Sequence, residues 1–567
     1  MDKPATHYFQ VGLTCTGMNA DTVNFKMPAW TPGYYWIEDF AKNVVGFSAE
    51  DGEGKALLWK KTAKNIWQVL SGKSEIIQIH YNVYAFEQSV ASPYLDNSHA
   101  YISPAGLFMY VSGLIQHPVQ VVIKPYHEWS AISTGLDEME GQPDTYYAPD
   151  FDVLYDCPVY IGNQEVWPFV VKGIPHYICV ENPGSFNREK MVKDTKRIVE
   201  AASGIIGEIP YKHYTFIIMG DGRGGLEHQN SMAVFSSKTA YNPNDTSGYK
   251  RWLSFLSHEF FHVYNIKAIR PVALGPFDYD RENYTSMLWM SEGFTVYYEY
   301  LVLNRAGILN RKECLDQIRN CITAYENIPG HLFQSAAESS FDTWIQFFNR
   351  SSNSSNTTIS YYDKGCAIGF LLDLAIRNNT NNEKSLDDVM RTLYQEYYKN
   401  KKRGFTDTEF RKTCETIARC LLPEIFDTYV STTKEIDYAK YLNYAGLEIS
   451  LTPGAQVIGY LGAKLGSINI KPVIRSVEWN SPAWQAGLSP EDTITEAKGI
   501  KIDLPELNRI LRNSKPMDKL KLLVSNSAGK KEVTLIIGKK EERSFIITPK
   551  KNPSALQSLI LNDLLKN

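Results

Sequence analysis

The sequence predicts a multidomain α+β protein, with a β-rich N-terminal region, a mainly helical middle and a return to short strands near the C-terminal end. Three observations carry this expectation. The chain has 567 residues, more than one hydrophobic core organises, so roughly three or four domains are expected. Apolar and polar residues alternate over residues 23–27 and 75–84, the period of a half-buried strand. From residue 247 to about 432 the apolar spacing becomes helical, and after about 440 short strands return.

Taken in order, residues 119–125 add a strand to the first region, and clusters of Pro, Gly, Asp and Asn separate its strands. A β-sandwich or similar open sheet is the expected form. Residues 187–207 read as a helix and 214–219 as a strand. Helices are expected at 252–265, 288–306, 312–325, 361–377, 386–398 and 407–419. The Ser/Asn-rich stretch 350–358 cannot fill a core and is expected as an exposed loop. A helix near 504–513 is embedded in the C-terminal strands, and 555–565 reads as a short amphipathic helix or a frayed end.

Composition narrows the function classes. Hydrophobic residues make up 43% and charged residues 22%, as in a soluble globular protein. Net charge is −4 without a long basic run, which gives no case for nucleic acid. No stretch approaches the ~20 apolar residues of a membrane span. Met1-Asp2-Lys3-Pro4 lacks the apolar core of a signal peptide, so a soluble protein is expected, cytoplasmic or, if a leader has been removed, periplasmic or secreted. The eight cysteines are scattered with no C-x-x-C pair, which argues against thiolate zinc and implies no disulfide framework.

The strongest chemical signal is His258-Glu259-Phe260-Phe261-His262. On a helix, residues i and i+4 share a face, so both imidazoles can reach one metal ion while Glu259, on the adjacent stripe, can touch a metal-bound water. A catalytic zinc then needs a third protein ligand and an open position. Glu282 and Glu292 compete for it. Glu282 lies in a polar segment that reads as a loop or cap, whereas Glu292 sits in a helix with an apolar face that can pack on the histidine helix; a ligand needs such a rigid element.

Several blocks resemble known peptidases. Trp289-Met290-Ser291-Glu292-Gly293-Phe294 resembles the Trp-Leu-Asn-Glu-Gly-Phe block of the aminopeptidase N and leukotriene-A hydrolase group, which implies that Glu292 is the third zinc ligand. Gly224-Gly225-Leu226-Glu227-His228 is similar to that group's Gly-x-Met-Glu-Asn segment. The resemblance implies that Glu227 binds the α-amine of a substrate and that the backbone of Gly224 and Gly225 lies along the peptide. Tyr361-Tyr362-Asp363-Lys364-Gly365 resembles Tyr-x-Lys-Gly, implying that Tyr362 donates to the developing oxyanion, with Tyr361 as the alternative one residue away.

The ends of the chain resemble the glycyl aminopeptidase family of zinc metallopeptidases. Met27-Pro28-Ala29-Trp30-Thr31-Pro32-Gly33-Tyr34-Tyr35 is similar to its N-terminal β-domain, and residues 474–494 resemble a PDZ pattern, with Glu491 replacing its usual Gly. Residues 460–466 are the candidate carboxylate-binding loop, departing from Gly-Leu-Gly-Phe. The resemblance implies an N-terminal β-sandwich-like domain at 1–165, a thermolysin-like zinc peptidase domain at 166–435, a PDZ-like domain at 445–550 and a tail at 551–567. The gap between His262 and Glu292 implies an inserted loop, 269–284, near the cleft. The implied activity uses one zinc ion, with His258, His262 and Glu292 as ligands and Glu259 as base. It removes small N-terminal residues, glycine above all, from peptides with a free N-terminus, and a peptide or protein ligand can occupy the PDZ-like domain. A zinc endopeptidase whose PDZ-like domain recruits protein substrates is the alternative, and a catalytically silent scaffold is a third reading.

Overall fold

The computed structural model describes residues 1–183, 187–236, 246–452, 459–539 and 543–566. Its first part is β-rich. Tyr8–Thr16, Ile76–Tyr84 and Val44–Asp51 form one antiparallel sheet, and Trp59–Ala63, Ile66–Leu70, Thr22–Lys26 and Tyr110–Val111 form another. In Ile76–Tyr84 alternate residues Ile77, Ile79, Tyr81 and Val83 are buried, the period-2 pattern of a strand with one face on a core. They join Val23, Phe25, Trp67 and Val69 of the second sheet in one hydrophobic cluster.

The middle region combines helices with a five-stranded mixed sheet. Its strands run Glu165–Val171, Ile174–Val180, Tyr214–Met219, Ser231–Phe235 and Gly225–Glu227 in spatial order, so Gly225–Glu227 is an edge. The hairpin at 165–180 was not legible as strands because its pattern merges into the preceding β-rich stretch. Helix Arg188–Ile206 begins where Asn187 Oδ1 accepts from Lys190 N and ends at Gly207 with φ 93°, a cap at each end.

Three helices form the centre: a histidine helix (Thr246–Phe261), a glutamate helix (Leu288–Arg305) and a tyrosine helix (Tyr361–Asn379). The glutamate helix is buried almost all round, which explains its continuous apolar sequence. The histidine helix stops at Phe261, earlier than the expected 265. The last turn tightens there, with Val263 N and Tyr264 N bonded to Phe260 O and Phe261 O three residues back, and the chain leaves the helix where Ile266 adopts φ 107°. Similarly, the expected helix 386–398 is α-helical only over Leu386–Leu393 and continues as a wider π-helical segment, Tyr394–Lys401.

Two other expectations are made more specific. Residues 269–284 lie near the cleft without lining it and strap the middle region to the N-terminal one. Tyr279 is buried in the N-terminal core, its hydroxyl donates to Asp152 Oδ1 at 2.7 Å, and Trp30 Nε1 donates to Asp278 O at 2.9 Å. The aromatic rings supply the apolar area that holds the strap down. Nor is 350–358 a free loop: Ser354–Thr357 is one helical turn, and Asn356 is buried. Its amide donates to Val477 O and accepts from Trp479 N, both at 2.8 Å, so a polar side chain fastens the C-terminal strands.

Those strands form a six-stranded sheet that includes Ala463–Ile468 at one edge, with helix Leu504–Asn513 packed beside it. The ends of this region return to the main core. Leu447–Leu451 pairs with Phe545–Pro549, and helix Ala555–Leu564 packs against the tyrosine helix rather than fraying. Among the described residues no helix is long and apolar enough to cross a membrane.

Candidate metal centre and substrate cleft

His258 and His262 face one another across a helical turn, their Nε2 atoms 3.1 Å apart. Glu292 Oε2 lies 3.7 Å from His258 Nε2 and 3.3 Å from His262 Nε2. Tetrahedral zinc with ligands at about 2.0–2.1 Å separates its donors by roughly 3.3–3.4 Å, so this triangle fits such an ion. Glu282 is not part of the donor cluster.

The outer ring nitrogens are also engaged. His258 Nδ1 meets Glu299 Oε2 at 2.9 Å, and His262 Nδ1 meets Asn265 O at 2.9 Å. Each acceptor fixes the proton on Nδ1 and leaves the Nε2 lone pair aimed inward, as metal-binding imidazoles require. Asn265 further donates through Nδ2 to Met290 O, Ser291 O and Thr295 Oγ1. One side chain thereby ties the end of the histidine helix to the start of the glutamate helix, beside Glu292.

Charge in this buried site is strongly biased. Burial opposes charge on both imidazoles, yet the neighbouring Glu292 and Glu299 carboxylates hold the His258 pKa well above the ordinary value. His262 is likewise raised, against its burial, by Glu292. Glu292 is held down to about 2 by the two imidazoles despite its own burial. The same carboxylates that favour a proton on these nitrogens would favour a metal cation in its place, which binds only the neutral rings. Burial raises Glu259 to about 7, only partly offset by the imidazoles.

Packing places the remaining predicted residues around this centre. Glu259 presses against the α-carbon of Gly225, where even a methyl group would overlap its carboxylate. Glu227 donor atoms lie within 4.8 Å of those of Glu259 and His262. Tyr362 lines the cleft with its ring 6.2 Å from that of His258, whereas Tyr361 is fully buried with its hydroxyl on Thr343 Oγ1 at 2.9 Å. Gly224 and Gly225 line the same cleft, of about 1180 Å³.

Several neighbours escaped the sequence reading. Glu299 stands two turns beyond Glu292 on an otherwise apolar helix, and that second buried acid was an available signal. Gly33 and Tyr35 come from the N-terminal region: Gly33 packs on the Glu227 carboxylate, and Tyr35 is buried where Glu292 and Glu227 raise its pKa beyond the effect of burial. Lys267, also buried, reaches Asp156 at 2.8 Å and Glu227 at 3.7 Å.

The buried donor cluster at the floor of a peptide-sized cleft defines the class as a metallopeptidase. Residues 1–163 match the Peptidase M61 N-terminal domain and residues 251–368 match the M61 glycyl aminopeptidase domain. Its fold is similar to the crystal structure of an aminopeptidase N family protein from Idiomarina loihiensis, with 27% identity, TM-score 0.92, and 100% of this chain and 99% of that one covered. An M1 zinc metallopeptidase from Deinococcus radiodurans aligns at 12% identity and TM-score 0.46 over 76% of this chain and 90% of that one. Native yeast LTA4 hydrolase aligns at 13% identity and TM-score 0.48 over 77% and 65%. No curated protein matches the chain.

Proposed function

We propose that this chain is a zinc aminopeptidase that removes small N-terminal residues, glycine above all, from peptides with a free N-terminus. The observation that carries the reading is the closeness of Glu227 to Glu259 and His262, with donor atoms within 4.8 Å. In a peptide the terminal nitrogen and the first carbonyl carbon are only about 2.5 Å apart. A carboxylate holding the ammonium must therefore stand almost beside the hydrolytic centre, as Glu227 does. The preference for glycine rests on the match of residues 251–368 to the M61 glycyl aminopeptidase domain.

His258, His262 and Glu292 would hold one zinc ion, which when bound polarises the scissile carbonyl and acidifies water. Glu259 takes the proton of the attacking water and passes it to the leaving amine. The Tyr362 hydroxyl donates to the oxygen that gains charge. Glu227 orients the ammonium, and the free edge of Gly225–Glu227 offers backbone groups to an extended substrate. The region at 445–550 is read as PDZ-like: the open edge of Ala463–Ile468 beside helix Leu504–Asn513 suits an added peptide strand.

The deciding experiment compares matched peptides with free and acetylated N-termini, together with zinc analysis. Cleavage confined to the free-amine peptide is expected. Equal cleavage of both, or cuts at internal bonds, would instead establish the endopeptidase alternative.

A further inference from the structure

The substrate cleft ends at Gly33 and Glu227, and among the described residues these two are the only ones it shares with a second cavity of about 660 Å³ behind them. This rear cavity lies between the N-terminal and middle regions. Its lining includes Gln116, Gln229 and Pro276, which are exposed, so it reaches solvent.

The partition is thin. Gly33 has φ +86°, and a β-carbon there would sit 2.7 Å from Glu227 Oε1 and 2.9 Å from Oε2. The Gly33 backbone, the Glu227 carboxylate and the Leu226 side chain, whose Cδ1 lies 2.8 Å from the same point, together separate the two spaces.

The charged groups around the partition are unequally satisfied. Asp152 accepts from the Tyr279 hydroxyl at 2.7 Å and Gln116 Nε2 at 3.0 Å, and Asp156 takes Lys267 at 2.8 Å. Glu227 is 4% exposed, yet its Oε1 has no hydrogen bond among the described residues. Lys267 stands 3.7 Å from it, beyond hydrogen-bonding reach. The Arg270 guanidinium packs over Gly275 at the cavity wall and has no ion-pair partner among the described residues. One buried carboxylate oxygen thus has Lys267 nearby but no hydrogen bond, and one half-buried guanidinium has no direct ion-pair contact although its charge is felt by Asp152; a buried oxygen without a hydrogen bond is costly.

A carboxylate and a guanidinium around one small cavity are the complement of a zwitterion. We propose that the rear cavity binds a free α-amino acid and is the route by which the residue released in the cleft departs. The proposal rests on the aminopeptidase reading. After hydrolysis the single amino acid lies at the closed end, with the shortened peptide between it and the cleft mouth. By turning about its side-chain bonds, Glu227 can keep the ammonium while passing the product behind Gly33, where Arg270 receives the new carboxylate.

The test uses full-length, zinc-loaded protein and free glycine as the probe. Calorimetry in the Glu259→Gln background removes turnover from the measurement. There Arg270→Gln should weaken glycine binding about tenfold, the value of one charge-assisted contact, because Arg270 does not line the cleft itself. Gln116→Trp at the exposed rim and Val153→Trp deeper in the wall should block the route. Each should release the first residue at the unmodified rate and then slow several-fold, giving a burst. Unchanged glycine binding in Arg270→Gln, with no burst in either tryptophan variant, would overturn the proposal. If the unmodified protein frees no N-terminal residue, the aminopeptidase reading fails separately, and the glycine calorimetry still decides the cavity.

Discussion

Gly293 and Gly365 touch backbone to backbone: an ideal β-carbon on Gly293 would overlap the Gly365 α-carbon and lie 2.6 Å from its carbonyl carbon. This contact brings the glutamate and tyrosine helices together, so Glu292 and Tyr362, each within three residues of it, reach the same centre. The glycines of the two motif blocks are therefore packing residues.

Gly293→Ala should force the helices apart at a cost of about 1–3 kcal/mol. Thermal unfolding should show the loss, and zinc retention should weaken with it. Gly204→Ala, on helix Arg188–Ile206 where a β-carbon meets nothing within 4 Å, serves as the control. It should be neutral or stabilising by up to about 1 kcal/mol.

Glu259→Gln removes the proton acceptor but no donor to the metal. Turnover should fall by about 10²–10⁴-fold while zinc content stays at that of the unmodified protein. His262→Ala should lose both. Full activity in the Glu259→Gln protein would refute its role as base.

Glu299 does not belong to the donor triangle, yet it fixes His258 through Nδ1 at 2.9 Å. Glu299→Ala should lower zinc affinity by about 10–100-fold, read by competition with a chelator. Unchanged affinity would show that His258 is oriented by packing alone.

His176 supplies a pH prediction remote from the centre. It is fully buried between Ile174 O and the Tyr211 hydroxyl, and burial pushes its pKa down to about 4. The unfolded chain takes up a proton near pH 6.5 and the folded chain does not, so the stability contribution is complete above 6.5. It should be lost as pH falls through 4, amounting to roughly 3 kcal/mol. Denaturant titrations at pH 7 and 4.5 should show a smaller difference for His176→Gln than for the unmodified protein. An equal difference would contradict the assignment.

Much of the fold was open to reading along the chain, because periodicity and caps are local. Tyr214–Met219 and Leu504–Asn513 occupy the residues expected of them. Asn187 and Gly207 mark the two ends of their helix with side-chain and backbone chemistry that needs no partner. What failed depends on contacts between distant segments. Asn356 lies in a stretch composed like a free loop, and its amide becomes buried only because the backbone of Val477 and Trp479 meets it. Tyr279 likewise gives no local sign that it will enter another domain's core.

The order of residues alone determined that two imidazoles and a carboxylate share one helical turn, since a period of 3.6 is a property of the backbone. It also supplied Glu292, Tyr362 and Glu227 as neighbours worth seeking. Tertiary structure alone decided that Glu299 and Asn265 O aim the two imidazoles, that Tyr362 rather than Tyr361 faces the cleft, and that Gly33 from the first domain closes it. Such choices depend on directions and distances across the chain, which packing of remote surfaces fixes and local spacing cannot encode.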